Sequence, residues 1–220
     1  MLSGDVIGVI LVYTYVAILL FVAEKVLHRY PLGSRKFLHI MVGNVFFILP
    51  LFETQWVMAL VAAAPFIVLT FFVSPFSPLK IVSQTSAAGH GLGLVYYAIA
   101  WTTLAWIFFD RPEIIAIGIV AMSYGDGLAS LAGIKFGLKQ YNLSGDAKSY
   151  IGSFTMLLAT TLGSALALGY YHFFYDVTFP PLYILPLIGA VTALAEAITP
   201  KGLDNLSTSF SAAILYFLLV

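Results

Sequence analysis

Eight apolar runs, near residues 5–24, 37–52, 56–73, 92–109, 114–134, 151–171, 182–199 and 206–220, take up most of the 220-residue chain. No loop between them exceeds about 18 residues. A membrane-crossing helix needs roughly 20 mostly apolar residues, and somewhat fewer when it is buried among other helices. The last run, of about 15 residues, counts either as a short span or as a half-inserted helix, so the expectation is seven or eight transmembrane helices. Charge supports the same class: only 9% of residues are charged, against about 25% in soluble domains. The predicted fold is all-α, a polytopic helical membrane protein forming one integral-membrane domain over residues 1–220.

Several functions are excluded at this level. The formal net charge is zero, so nothing favours nucleic acid as a partner. Cysteine is absent, which removes disulfides, thiolate metal sites and cysteine nucleophiles. Asp5 and the lack of a basic residue before the first apolar run argue against a cleaved signal peptide, so that run is expected to be a retained span.

Alternating the spans assigns the loops to two sides. One side receives 25–36, 74–91, 135–150 and 200–205, with Lys25, Arg29, Arg35, Lys36, Lys80, Lys135, Lys139, Lys148 and Lys201; the other receives only Arg111. Basic loops stay in the cytoplasm, so the sequence predicts an outside N-terminus and a cytoplasmic face carrying the basic loops. Trp56, Trp101 and Trp106 fall toward the outer ends of their runs, as an aromatic belt would.

Ionisable residues inside a membrane are costly and mark functional interiors by default. His39, Asn44, Asp126 and Glu196 are the candidates. Asp126 lies nine residues before Lys135, or ~13 Å of helix, which places it in the cytoplasmic half of the bilayer. Ser123, Asp126, Ser130 and Gly133 share its helical face. Gly125, Ala129, Gly133 and Gly137 form a small-xxx-small ladder suited to helix packing. Of these, Gly133 and Gly137 are assigned mainly to helix contact, and Gly125, with Gly127, to clearing space beside the carboxylate.

Three further clusters belong to the cytoplasmic side. Ser34–His39, "SRKFLH", sits at the mouth of the second run, where Arg35 and Lys36 suit either headgroup anchoring or anion binding. "GDAKSYIGS", 145–153, opens a helix with Lys148, Ser149 and Ser153; it is not a P-loop, because Ala147 stands where that motif has glycine. A helix N-terminus there favours an anion, and Ser149 is equally suited to capping. "EAITPKGLDNLS", Glu196–Ser207, runs from an acid through a Pro-Lys-Gly turn to Asp204 and Asn205, either of which suits an N-cap. The 74–91 loop is either a flap or an interfacial tether. Cations and helix termini suit polyphosphate, and the acids Asp126 and Glu196 suit Mg2+, which takes one or two carboxylates plus phosphate oxygens. Phosphoryl or nucleotidyl transfer to a lipid acceptor is the chemistry that uses such a set.

"RKFLH" (35–39), "YGDGLASLAGIKFG" (124–137), "KSYIGS" (148–153) and "EAITPKGLDNLS" (196–207) also occur in the order and setting of the polyprenol kinase family, which this chain resembles from about Arg35 to the last helix. That family comprises dolichol, phytol, farnesol and geranylgeraniol kinases together with CTP-dependent diacylglycerol kinases. The resemblance implies γ-phosphoryl transfer from a nucleoside triphosphate, usually CTP, to a lipid alcohol with Mg2+. It implies that Arg35 and Lys36, beside His39, hold nucleotide phosphates, and that Asp126 binds the metal or orients the hydroxyl. Gly133 would allow close packing or backbone approach, while Lys148, Ser149 and Ser153 cradle phosphates. Asp204 and Asn205 would complete the polar site, with Glu196 behind them. No motif selects CTP over ATP, chain length is open, and oligomeric state is unknown.

Two alternatives compete. Phosphatidate cytidylyltransferases share the Asp-plus-glycine helix but end in a "DRxDS" signature, where this chain has "PKGLDNLSTSF". A small-molecule transporter would often show an inverted repeat with midplane polar residues. No repeat is present, and the polar residues gather at one interface.

Overall fold

Backbone in hydrocarbon has to satisfy its own N–H and C=O groups, so apolar runs of this length fold as helices. The structure, a computed structural model, describes residues 2–78, 91–143, 146–200 and 202–220. Residues 79–90 of the 74–91 loop, with Lys80 and His90, lie outside the described residues, as do Gly145 and Lys201. Each apolar run is helical within a few residues of its expected ends. Among the described residues, four helical stretches are long and apolar enough to cross a membrane: Ser3–Val26, Leu32–Leu51, Pro112–Phe136 and Tyr150–Tyr175. Val57–Phe72, Gly93–Ile107 and Ile184–Ile198 are shorter and apolar. Large side chains such as Leu60, Val68, Leu162 and Leu194 point outward from these helices, a pattern that fits lipid contact.

The chain divides into two compact units, Met1–Asp110 and Arg111–Val220. In the first, α1 (Ser3–Phe21) runs on through a π-helical turn, Val22–Val26. Helix α2 (Pro31–Val42) continues in 3₁₀ turns, and a π-helical segment, Val57–Ala63, leads into α3 (Pro65–Phe72). Helix α4 (Gly93–Ile107) packs on α3 and on that π segment, and α1 packs on α2. Prolines open α2 and α3, at positions whose N–H would be unused in any case. Asp5 is a buried anchor: its carboxylate accepts from the N–H groups of Glu53 (3.0 Å) and Thr54 (3.1 Å) and from the Thr54 hydroxyl (2.6 Å), holding the loop after α2.

The second unit holds the residues of greatest interest. Helix α5 (Pro112–Val120) passes through a π-helical turn, Ala121–Gly125, into α6 (Asp126–Phe136). The 135–150 loop is not wholly irregular, as an all-α reading implies: β1 (Gln140–Asn142) and β2 (Ala147–Ser149) form an antiparallel hairpin that sets Tyr141 opposite Lys148. Helices α7 (Tyr150–Tyr175), α8 (Ile184–Ile198) and α9 (Asp204–Leu219) follow. α7 packs on α5, α6 and α8, and α9 packs on α5 and α8. The turn into α9 needs Gly202, whose φ of 81° lies in the left-handed region.

Candidate active site

The small-residue ladder on α6 brings that helix against the start of α7. A Cβ on Gly125 would collide with Thr160 Oγ1 and come within 2.8 Å of Met156 Sδ; one on Gly133 would lie 2.9 Å from Ser149 Oγ. A Cβ on Gly137 would meet Ser149 Cβ at 2.7 Å, and one on Gly152 the Ala129 carbonyl at 3.2 Å. Gly125 is therefore a helix-contact residue, and the expectation that it clears space beside Asp126 is corrected: the side chains of α7 already fill that space. Gly133→Val is expected to overpack this seam and cost about 1–3 kcal/mol, seen as a melting temperature several degrees lower in detergent. An unaltered melt would refute so tight a contact.

Lys148 gathers the acids. It stands on β2, whose pairing with β1 turns it inward between exposed Ala147 and buried Ser149. Its ammonium lies 2.5 Å from Glu196 Oε1 and 3.7 Å from Asp204 Oδ2. Glu196 ends α8, where the helix dipole disfavours an acid, so the ammonium compensates it; Asp204 opens α9, where the dipole favours one. Burial alone would lower the Lys148 pKa. The carboxylates of Glu196, Asp204 and Asp126 outweigh it and hold the pKa above the usual 10.5. Asp126 is thus within electrostatic reach of Lys148 and, with Asp204, of Glu196. Three residues picked from separate stretches of sequence, Lys148, Glu196 and Asp204, are brought together, with Asp126 in their field.

The serines are more committed to structure. Ser149 is the N-cap of α7 and accepts the Gly152 N–H at 3.0 Å, while the Tyr150 N–H goes to the Lys139 carbonyl at 3.3 Å. The helix start therefore uses two of its first three N–H groups on the chain itself. Ser153 Oγ lies 2.5 Å from the Tyr141 hydroxyl, and the Tyr141 and Tyr150 rings sit 5.1 Å apart. Tyr141 escaped sequence reasoning because its place opposite Lys148 follows only from the hairpin. Neither Asp204 nor Asn205 is the N-cap of α9. Leu203 holds that position, and the Asn205 N–H donates to Asp204 Oδ1 at 3.1 Å. Asn205 is buried.

Arg35, Lys36 and His39 belong to the first unit. Arg35 and Lys36 are half-buried on α2; His39 is buried, with its ring edge-on to Tyr97 at 5.4 Å. Asn44 is accounted for within that unit, donating to the Tyr15 hydroxyl at 2.9 Å while Tyr15 donates to the Met41 carbonyl at 2.6 Å.

Among the described residues no group of three or more His, Asp or Glu side chains is placed to cage a metal. The donor set around Lys148 fits Mg2+ in the weaker sense that this ion needs: hard carboxylate oxygens, one or two per ion, with phosphates and water filling the remaining positions.

No family model matches the chain, and no solved structure does. Curated relatives do match. A phytol kinase of Synechocystis sp. is 33% identical over 218 residues, covering 95% of this chain and 90% of that protein. Phytol kinase 1, chloroplastic, of Arabidopsis thaliana is 29% identical over 203 residues, 84% of this chain and 66% of the relative. A probable phytol kinase, chloroplastic, of Triticum aestivum is also 29% identical over 203 residues, 84% and 67% of the two chains. A helical protein with membrane-length apolar helices and a lysine ringed by acids defines the class. The chain belongs to the polyprenol kinase family.

Proposed function

We propose that this protein is a membrane kinase that transfers the γ-phosphoryl group of a nucleoside triphosphate to the hydroxyl of an isoprenoid alcohol of the phytol class. The observation that carries the proposal is Lys148, held 2.5 Å from Glu196 and 3.7 Å from Asp204 with Asp126 in its field. An ammonium has three donors, and Glu196 occupies one of them. Lys148 is thus assigned to the transferring phosphate, and Asp126 to Mg2+. Bound Mg2+ would neutralise the charge that builds between the β and γ phosphates.

The substrate oxygen attacks the γ-phosphorus and forms a new P–O bond, while the bond to the β-phosphate oxygen breaks. The hydroxyl proton goes to Asp204, whose side chain, 16% exposed, is more open than that of Glu196 at 8%. Ser149 and Ser153 hold the frame, and Asn205 lines it. CTP is the favoured donor, by the family resemblance alone.

Purified protein in detergent, given Mg2+, γ-labelled CTP or ATP and a panel of phytol, geranylgeraniol, farnesol, dolichol and diacylglycerol, is expected to label phytol or geranylgeraniol. No labelled lipid from either nucleotide would overturn the proposal. Label reaching lipid only from α-labelled CTP with phosphatidate would indicate nucleotidyl transfer instead.

The basic loops support a cytoplasmic site. Because the chain lacks cysteine, Lys139→Cys provides a single reporter, expected to react with an impermeant maleimide only from the cytoplasmic side. Reaction from outside would reverse the orientation.

A further inference from the structure

The Lys148 ammonium sits at the end of a flexible four-carbon stem, so the place it reaches depends on how firmly its backbone is held. That backbone belongs to a hairpin of two three-residue strands, Gln140–Asn142 and Ala147–Ser149. A hairpin of two strands is at best marginally stable alone, so this one takes its order from what it packs on. Residues directly opposite each other in an antiparallel pair present their side chains on the same face. Tyr141 is opposite Lys148, so the face that carries the lysine also carries the phenol.

The phenol ties that face to α7. Its hydroxyl lies 2.5 Å from Ser153 Oγ, and its ring sits 5.1 Å from that of Tyr150. A serine hydroxyl has one proton, and the Ser153 proton has the Ser149 carbonyl 3.4 Å away. The phenol is therefore the donor to Ser153. Ser149, the next residue after Lys148, accepts the Gly152 N–H at 3.0 Å and fills the space that a Cβ on Gly133 or Gly137 would need. The lysine is thus held from both strands: from β2 by the cap of α7, and from β1 by Tyr141 through Ser153. All of these residues lie in the second unit, as do Glu196 and Asp204.

We propose that Tyr141 is a positioning residue for phosphoryl transfer. By docking β1 on Ser153, its hydroxyl fixes where the Lys148 ammonium stands relative to Glu196 and Asp204, 2.5 and 3.7 Å away. Tyr141 acts on the reaction through Lys148. That role rests on the kinase proposal; the docking itself does not, and the two are measured separately.

Because the chain lacks cysteine, Gln140→Cys, at an exposed position of β1, carries a single nitroxide. In detergent, Tyr141→Phe keeps the ring and removes the hydroxyl, and Ser153→Ala removes its partner. Each is expected to narrow the electron paramagnetic resonance line of the label, and the double variant to narrow it no further. In the unlabelled protein each is expected to lower kcat by up to about a hundredfold, the cost of a ~1 Å misplacement. KM for phytol is expected to stay the same, since the loss falls on the transition state. One hydrogen bond is removed in all three variants, so the double variant is expected to be no slower than the slower single one.

A line that stays broad in both single variants overturns the inference whatever the turnover. Unaltered kcat with a narrowed line overturns it too, as do losses that multiply in the double variant. So does a higher KM for phytol with kcat unaltered, which would place Tyr141 on the substrate. A narrowed line in a protein that phosphorylates no alcohol sinks the kinase proposal and leaves the docking standing.

Discussion

Lys148→Met is expected to abolish lipid phosphorylation and, separately, to destabilise the protein by about 3–5 kcal/mol, because it leaves Glu196 as a buried charge without its compensating ammonium. The two effects come apart in the double variant. Lys148→Met with Glu196→Leu removes both members of the pair, and it is expected to recover most of the lost melting temperature in detergent without recovering activity. If the double variant melts no higher than the single one, the pair is not the source of the loss. If either variant keeps wild-type turnover, Lys148 has no part in the chemistry. The pH dependence follows from the sign of the shift. The lysine is held above 10.5 in the folded protein, so the stabilisation is complete below pH 10.5. It disappears only as pH rises through the higher folded value. Between about pH 7 and 10, then, the Lys148 pair contributes no decline in melting temperature.

Asp126→Asn should cost turnover about 10²–10³-fold, the range for loss of one charged or hydrogen-bonding group acting on a transition state, while the fold survives. The amide keeps the shape of the carboxylate, and the surrounding seam of α6 on α7 is built from Gly133, Ala129 and Gly152, which the substitution leaves untouched. A metal role adds a signature that packing lacks: the Mg2+ concentration for half-maximal activity should rise in the variant. A large fall in melting temperature with an unaltered Mg2+ requirement would instead make Asp126 a structural acid.

The helices were legible in the sequence because apolarity is a one-dimensional signal. A run such as 151–171 is helical wherever it lies, and α7 departs from it by only a few residues. Asp126 and Glu196 were legible as polar residues in the wrong solvent, and Lys148 and Asp204 as polar residues at helix starts on the basic face. Their partnership was not, because 48 positions separate Lys148 from Glu196 and only folding closes that distance. The hairpin escaped notice because three-residue strands such as Gln140–Asn142 are too short to show alternation. Gly125 was misjudged because a glycine beside an acid looks the same from sequence whether a ligand or a methionine fills the space.

The π-helical turn at Ala121–Gly125 has one more consequence, in angular terms. A π turn carries one residue more than the α turn it replaces, and each residue of an α-helix advances by ~100°. The extra residue therefore sets the phase of everything after it: the bearing of Asp126 about the helix axis is fixed by a defect one turn earlier. Removing a single residue from 121–125 would let a regular α ladder form and swing the carboxylate about a quarter turn or more from Lys148. The helix would then be more regular and the site misaligned, with no functional side chain altered. The less regular hydrogen bonding at this point sets the side of the helix from which the Asp126 charge reaches Lys148.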